Sequence, residues 1–320
     1  MKLFQLRRSP KVSEAYTYRN LAVYLLSPPA AVARKSFLTL DEALQAGCAR
    51  LHETGRVGEL EIENLTHADL YVQAGDVVKG GWQDRALGLD FIVPCGQRRP
   101  QRMKVRTFCV ERGRWNRRGG DEPTNFFRSA PCLAASRELK LSIREAASQS
   151  AVWTSVDAAQ VKLSQSVGID VRAVDSPTSL PLALENEAVR RRLGGYVHAF
   201  HNLLSLQPDA AGFAFAINGR INSADAYASP ELFRKLWPRL LEAASLEALA
   251  ESTATGPTCS TPTAQEIAEW LRRAGRGRKT KHTVTARVTL VVRETEEHIC
   301  FETMDAEQPD VCVHQNILAH

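Results

Sequence analysis

Several features are missing from this 320-residue sequence, and each absence removes a class of function. No apolar run approaches the roughly 18 residues that a membrane span requires, so a membrane partner is not expected. The seven cysteines are odd in number and scattered, with no CxxC pair, which argues against both a zinc ribbon and a disulfide framework. There is no P-loop signature and no GxGxxG following a strand, so neither usual phosphate cradle is present. HExxH and GxSxG are absent too, which removes the zinc-protease helix and the nucleophile elbow of a serine hydrolase. No metal and no cofactor is expected. His198 and His201, spaced i, i+3 in a helical stretch, are weak metal candidates, because no third ligand accompanies them. Glu302, Asp305 and His314 would serve a metal or acid–base chemistry only if the fold gathers them. Internal repeats and heptads are lacking. The basic segment Met1–Val12 has no apolar core of a signal peptide, which sets the expectation of a cytoplasmic protein with reduced thiols.

What is present is a soluble globular composition with an uneven charge. The net charge is +5, yet residues 98–128 hold ten Lys/Arg against three acids, and residues 270–281 hold six Lys/Arg and no acid. The remainder is net negative. Two basic segments of this kind attract phosphates or form solvated loops, the commoner role of a charge run.

The pattern along the chain alternates between two periods. Residues 19–26 read as a buried strand, and Thr39 caps a short helix with Asp41 and Glu42 in its first turn. From Val57 to Val110 the period is two, in short runs broken by Gly, Pro and Asn. Residues 116–131 read as an exposed loop. Helices follow over 149–167 and around Val189–Leu204, where apolar residues recur at i, i+3, i+4. Phe213–Ile217, Asn218-Gly219 and Arg220–Ala226 form a hairpin signal, since Asn-Gly suits the positive φ angles of a type I′ turn. Ser229-Pro230 opens a helix in which Pro238 predicts a kink. A Thr/Ser/Pro-rich linker at 252–263 leads to a short helix at 263–274. Alternating Val284–Val292, then Ile299–Phe301 and Val311–Val313, return the tail to strand. These elements predict an α+β fold. Residues 1–117 form an antiparallel, β-rich, sandwich-like N-terminal half. Residues 130–275 form a mainly helical middle with the hairpin near 213–226, and strands over 281–317 return to the sheet.

Chemistry-bearing residues concentrate between Gly75 and Trp115. Lys79-Gly80-Gly81 suits a tight turn whose N–H groups hold an anion, or one that simply reverses the chain. Asp84-Arg85 and Glu111…Arg114 place charges beside strands, where they either pair with one another or face a ligand. Trp82 and Trp115 flank them, and aromatic faces near arginines suit a flat ring. Cys109 has arginines nearby at 106, 112 and 114, which would favour its thiolate, although an ordinary buried strand cysteine fits as well.

The same residues carry a resemblance. Gly75-Asp76-Val77-Val78-Lys79-Gly80-Gly81-Trp82-Gln83-Asp84-Arg85 resembles the first signature of the bacterial ARPP-type domain, the ADP-ribosylglycohydrolase- and rhodanese/phosphatase-associated protein domain. Phe108-Cys109-Val110-Glu111-Arg112-Gly113-Arg114-Trp115 is similar to its second, C-V-E-x-G-R-W. Gln149–Trp153, Ala216–Arg220, Ser229–Phe233 and the tail Phe301–Thr303 with His314–Asn316 extend the likeness over about 20–317, which implies a single domain across 1–317. The family name implies a role around NAD or ADP-ribose metabolism. Its expected form is binding, or binding and processing, of an anionic nucleotide-derived ligand. In that reading Lys79, Gln83, Arg85, Arg114 and Trp115 bind the ligand, and Glu111, Asp84 and Cys109 are the candidates for chemistry. The alternative is a non-enzymatic interaction protein whose basic loops hold a protein or nucleic acid. Nucleic acid is the less favoured partner, because aromatics do not interleave the basic run.

Overall fold

A computed structural model describes residues 10–28, 36–96, 100–115, 127–133, 136–144, 148–252 and 260–320. The fold is α+β, with antiparallel pairing in all strand contacts but one among the described residues. The chain divides into two compact units, one built from residues 1–36 and 196–320 and the other from 37–195. No helix among the described residues is long and apolar enough to cross a membrane.

The first unit is organised on a nine-stranded sheet. Leu21–Ser27, buried at every position, pairs with Gly212–Ile217, which forms the expected hairpin with Arg220–Tyr227. Both turn residues adopt positive φ, 51° at Asn218 and 77° at Gly219, as a type I′ turn demands. Arg220–Tyr227 then pairs with the last strand, Gln308–Ala319, and the sheet continues through His298–Asp305 and Val288–Glu294 to Arg278–Thr283 at its end. Strand alternation sorts side chains by size. Alanines 22, 214, 216, 224 and 226 face the helix Ala264–Ala274, whose Ile267, Trp270 and Leu271 fill the space these small residues leave. Aromatics serve the helix Pro230–Ala250, where Phe213 stacks with Phe233 and meets Trp237 edge-on. That helix runs through Pro238 and is capped by the Ser229 hydroxyl, which accepts from Leu232 N.

The second unit holds a six-stranded sheet in the order Phe127–Leu133, Asp76–Lys79, Arg85–Leu87, Gln101–Cys109, Glu59–Asn64, Ala49–Glu53, and a three-stranded one of Phe91–Val93, Leu70–Val72 and Leu38–Thr39. The Thr39 cap closes as a full capping box with Glu42. Helix Gln149–Val167 has its expected bounds, ending at Gly168 in the left-handed region.

Two expectations change. The loop expected over 116–131 is in part a strand, because Phe127–Leu133 pairs with Asp76–Lys79; residues 116–126 lie outside the described part. The first tail strand begins at Arg278, inside the basic run and ahead of the expected 281, and the next begins at Val288 rather than Val284. The tail strands return to sheet as expected, joining that of Leu21–Ser27, and the strands between 49 and 109 form their own sheets. Most of the linker, 253–259, lies outside the described residues.

Candidate functional site

The site candidates between Gly75 and Trp115 belong to the second unit, and two turns position them. Gly80 and Gly81 have φ of 122° and 57°, so the turn after Asp76–Lys79 requires residues without a Cβ. The second turn, at the end of Gln101–Cys109, brings Glu111 and Arg114 back over the first, anchored by Val110 N donating to Asp84 O.

Within this double turn the chain's own carboxylates occupy the donors that a ligand would need. Gly80 N–H donates to Asp84 Oδ1 at 3.0 Å and Trp82 N–H to Glu53 Oε1 at 2.8 Å. Lys79 Nζ is held by Glu185 at 2.6 Å, with both side chains about a quarter to a third exposed. Arg114 donates Nε to Glu111 Oε2 at 2.8 Å, places Nη2 2.7 Å from the same oxygen and reaches Asp84 Oδ1 at 3.5 Å. Glu111 also accepts from Asp84 N at 3.1 Å and from the Ser176 hydroxyl at 2.6 Å. Asp84 Oδ2 accepts from the Ser179 hydroxyl at 2.9 Å. Asp84 and Glu111 are fully buried, a state that carboxylates tolerate only when paired and hydrogen-bonded in this way.

Arg85 stands apart. Its guanidinium is fully buried and donates Nη1 to Gln83 Oε1 at 3.0 Å. The nearest carboxylate oxygen, Glu53 Oε2, lies 3.8 Å from Nη2, an ion pair too long for a hydrogen bond. Neither Nε nor Nη2 makes a hydrogen bond to any of the described residues, despite their burial. Burial lowers the affinity of this guanidinium for its proton, with Glu53 and Asp84 acting in the opposite sense. Trp115 covers it at 5.4 Å from ring centre to Cζ, is itself 43% exposed, and meets Trp82 edge-on.

Of the two readings open for Cys109, the ordinary buried strand cysteine fits the geometry. Burial pushes its thiol up, and this outweighs the lowering effects of the Glu111 backbone bond and the Arg85 charge. The Sγ–H donates to Glu111 O at 2.6 Å, a bond that needs the proton in place. Two of the arginines read as thiolate-stabilising face aromatic rings instead, Arg106 over Phe108 and Arg112 over Trp153. Two further basic residues of this region are paired locally. Arg102 pairs with Glu61 and Glu63, and Lys104 with Glu59, across the strand pair.

The fold does not assemble the tail candidates. Glu302 is held by Arg293, Asp305 by Arg287 through two 2.8 Å contacts, and His314 Nε2 lies 3.0 Å from Asp225 under the ring of Tyr227. His198 and His201 stack, with His201 Nδ1 against His198 O. No group of three or more His, Cys, Asp or Glu among the described residues is placed to hold a metal ion.

Glu53, Ser176, Ser179 and Glu185 were missed as members of this network. Only Ser179 left a local signal: Ser179-Leu180-Pro181 is a cap followed by a proline in the first turn, and Ser179 does cap the helix Leu180–Leu184.

No curated protein and no solved structure matches the chain. The description of the ARG and Rhodanese-Phosphatase-superfamily-associated Protein domain matches residues 9–314. Both signature turns of the site lie inside that match, and the chain belongs to the ARPP-1 family.

Proposed function

We propose that this protein binds a small anionic, nucleotide-derived ligand at Arg85, of the NAD or ADP-ribose kind that the family's association suggests. The observation that carries the reading is a fully buried guanidinium with two nitrogens unmatched among the described residues, beneath an exposed indole. Each buried donor left unpaired costs about 1–3 kcal/mol, which a phosphate or carboxylate oxygen would recover. Trp115, with Trp82 beside it, is the platform for a base or other flat ring, and Gln83 orients the Arg85 fork. Asp84, Glu111 and Arg114 are the frame. Their oxygens already accept two serine hydroxyls, backbone N–H groups and the Arg114 guanidinium, so the geometry supports binding over processing.

Thermal shift and Trp fluorescence with NAD, ADP-ribose and AMP test the reading. At least one ligand is expected to stabilise the wild-type chain and perturb emission, and Arg85→Met to abolish both effects; equal responses from wild type and variant would sink it. The saturated Asp84–Glu111–Arg114 network favours a second reading, an interaction protein whose site braces the fold. It predicts that Arg85→Met unfolds the chain, and that partner association weakens steeply with salt.

A further inference from the structure

Arg85 shares its corner of the second unit with a carboxylate whose outer oxygen is also unmatched, and the combination narrows what the site can read. Gln83 Oε1 takes Arg85 Nη1 at 3.0 Å, and Gln83 is itself anchored by its Nε2 donating to Glu111 O at 3.3 Å. With Nη1 fixed, the two nitrogens unmatched among the described residues are Nε and Nη2. These form the side edge of the guanidinium, which presents two parallel N–H groups. Glu53, at the end of strand Ala49–Glu53, is held in a similar way. Its Oε1 accepts from Trp82 N–H at 2.8 Å. Its Oε2 is buried and unmatched among the described residues, 3.8 Å from Arg85 Nη2. Two donors and one acceptor therefore lie together, with Trp115 over the guanidinium.

The pair is neutral as a whole, one guanidinium against one carboxylate. A phosphate seated on Nη2 would bring a second negative charge close to Glu53 in a buried site, where like charges repel strongly. A group that only accepts would also leave Oε2 unmatched. A hydroxyl both accepts and donates, and so answers both partners. Its oxygen, at about 2.8 Å from each, bridges atoms 3.8 Å apart from the side, accepting from Nη2 and donating to Oε2. A second hydroxyl on the adjacent carbon accepts from Nε, because the fork takes two neighbouring oxygens.

We infer that Arg85 and Glu53 read a vicinal diol, the 2′- and 3′-hydroxyls of a ribose, so that the site takes ribonucleotides in preference to deoxyribonucleotides. This rests on the nucleotide reading above and assigns the sugar to the fork, with the phosphate outside the Arg85–Glu53 pair. Calorimetric titration of the full chain with AMP, 2′-deoxy-AMP, 3′-deoxy-AMP and ADP-ribose tests it. Each deoxy analogue is expected to bind at least about tenfold more weakly than AMP, because the missing hydroxyl leaves a buried partner unmatched. In Glu53→Gln the one remaining oxygen is needed by Trp82 N–H, so the amide donors face Arg85. AMP should then weaken, with circular dichroism unchanged. Its advantage over one analogue, the one lacking the hydroxyl that donates to Glu53, should fall to about one-fold. A purely structural role for Glu53 would weaken all three nucleotides together, and both ratios retained in Glu53→Gln overturn the inference. Equal binding of AMP and both analogues to wild type, lost in Arg85→Met, overturns the diol and leaves the nucleotide reading standing. No binding of AMP or of ADP-ribose overturns both.

Discussion

At the scale of single residues, the value of a charge is set by its burial. Arg114 is 11% exposed and serves two carboxylates that are wholly buried, so removing it takes away the cation that Asp84 and Glu111 share. Arg114→Met should destabilise by about 3 kcal/mol or more, the cost of orphaning a buried charge. Lys79→Met, at a pair about a quarter to a third exposed, should cost under about 1 kcal/mol. Urea denaturation of both variants checks the contrast, and equal losses would refute it. The same logic governs the thiols. With its proton committed to Glu111 O and burial pushing it up, Cys109 should be alkylated by iodoacetamide at pH 8 far more slowly than the half-buried Cys48 and Cys95, as read by peptide mass spectrometry.

Asp305 gives a pH dependence whose sign follows from its partner. Burial alone raises its carboxyl, but hydrogen bonds and charge from Arg287 prevail, and the folded value lies below the ordinary one. A depressed carboxyl contributes stability that is fully present above the unfolded value near 4 and is lost as pH falls through the folded value. Asp305→Asn should therefore be less stable than wild type at pH 7, with the gap closing below about pH 4. A gap that stays constant down to pH 2 would contradict this account.

At the scale of elements, local chemistry was readable and long-range pairing was not. Thr39, Ser229 and Asn218-Gly219 act on neighbours within four residues, and each does in the fold what its type suggests. Ser229→Ala should accordingly cost about 1 kcal/mol in thermal unfolding, the usual effect of losing a cap. The start of strand Arg278–Thr283 escaped notice because every residue in it is exposed, so no apolar alternation marks it. The site was legible as a location, since glycines, tryptophans and charges cluster between Gly75 and Trp115. Its wiring was not, because Lys79 meets Glu185 across 106 residues and Asp84 meets Ser179 across 95. No spacing rule reaches that far. The two readings of Cys109 stayed open for a related reason: sequence shows which charges are close along the chain, not how deeply the thiol is buried.

At the scale of the whole molecule, the second unit is an insertion. The chain builds Leu21–Ser27, leaves at residue 36 to form residues 37–195, and returns to complete the same sheet. Each unit has its own apolar core, centred on Phe213, Phe233 and Trp237 in one and on residues such as Val105, Phe108 and Val156 in the other. Chains of this length commonly distribute their stability over more than one cooperative block. Calorimetry should therefore resolve two transitions or one that is broader than its enthalpy requires. Leu240→Ala, in the helix Pro230–Ala250, should lower one component, and Val156→Ala, in the helix Gln149–Val167, the other, each by about 2–4 kcal/mol in its own block. A single sharp two-state transition, shifted alike by both substitutions, would mean that the units unfold as one.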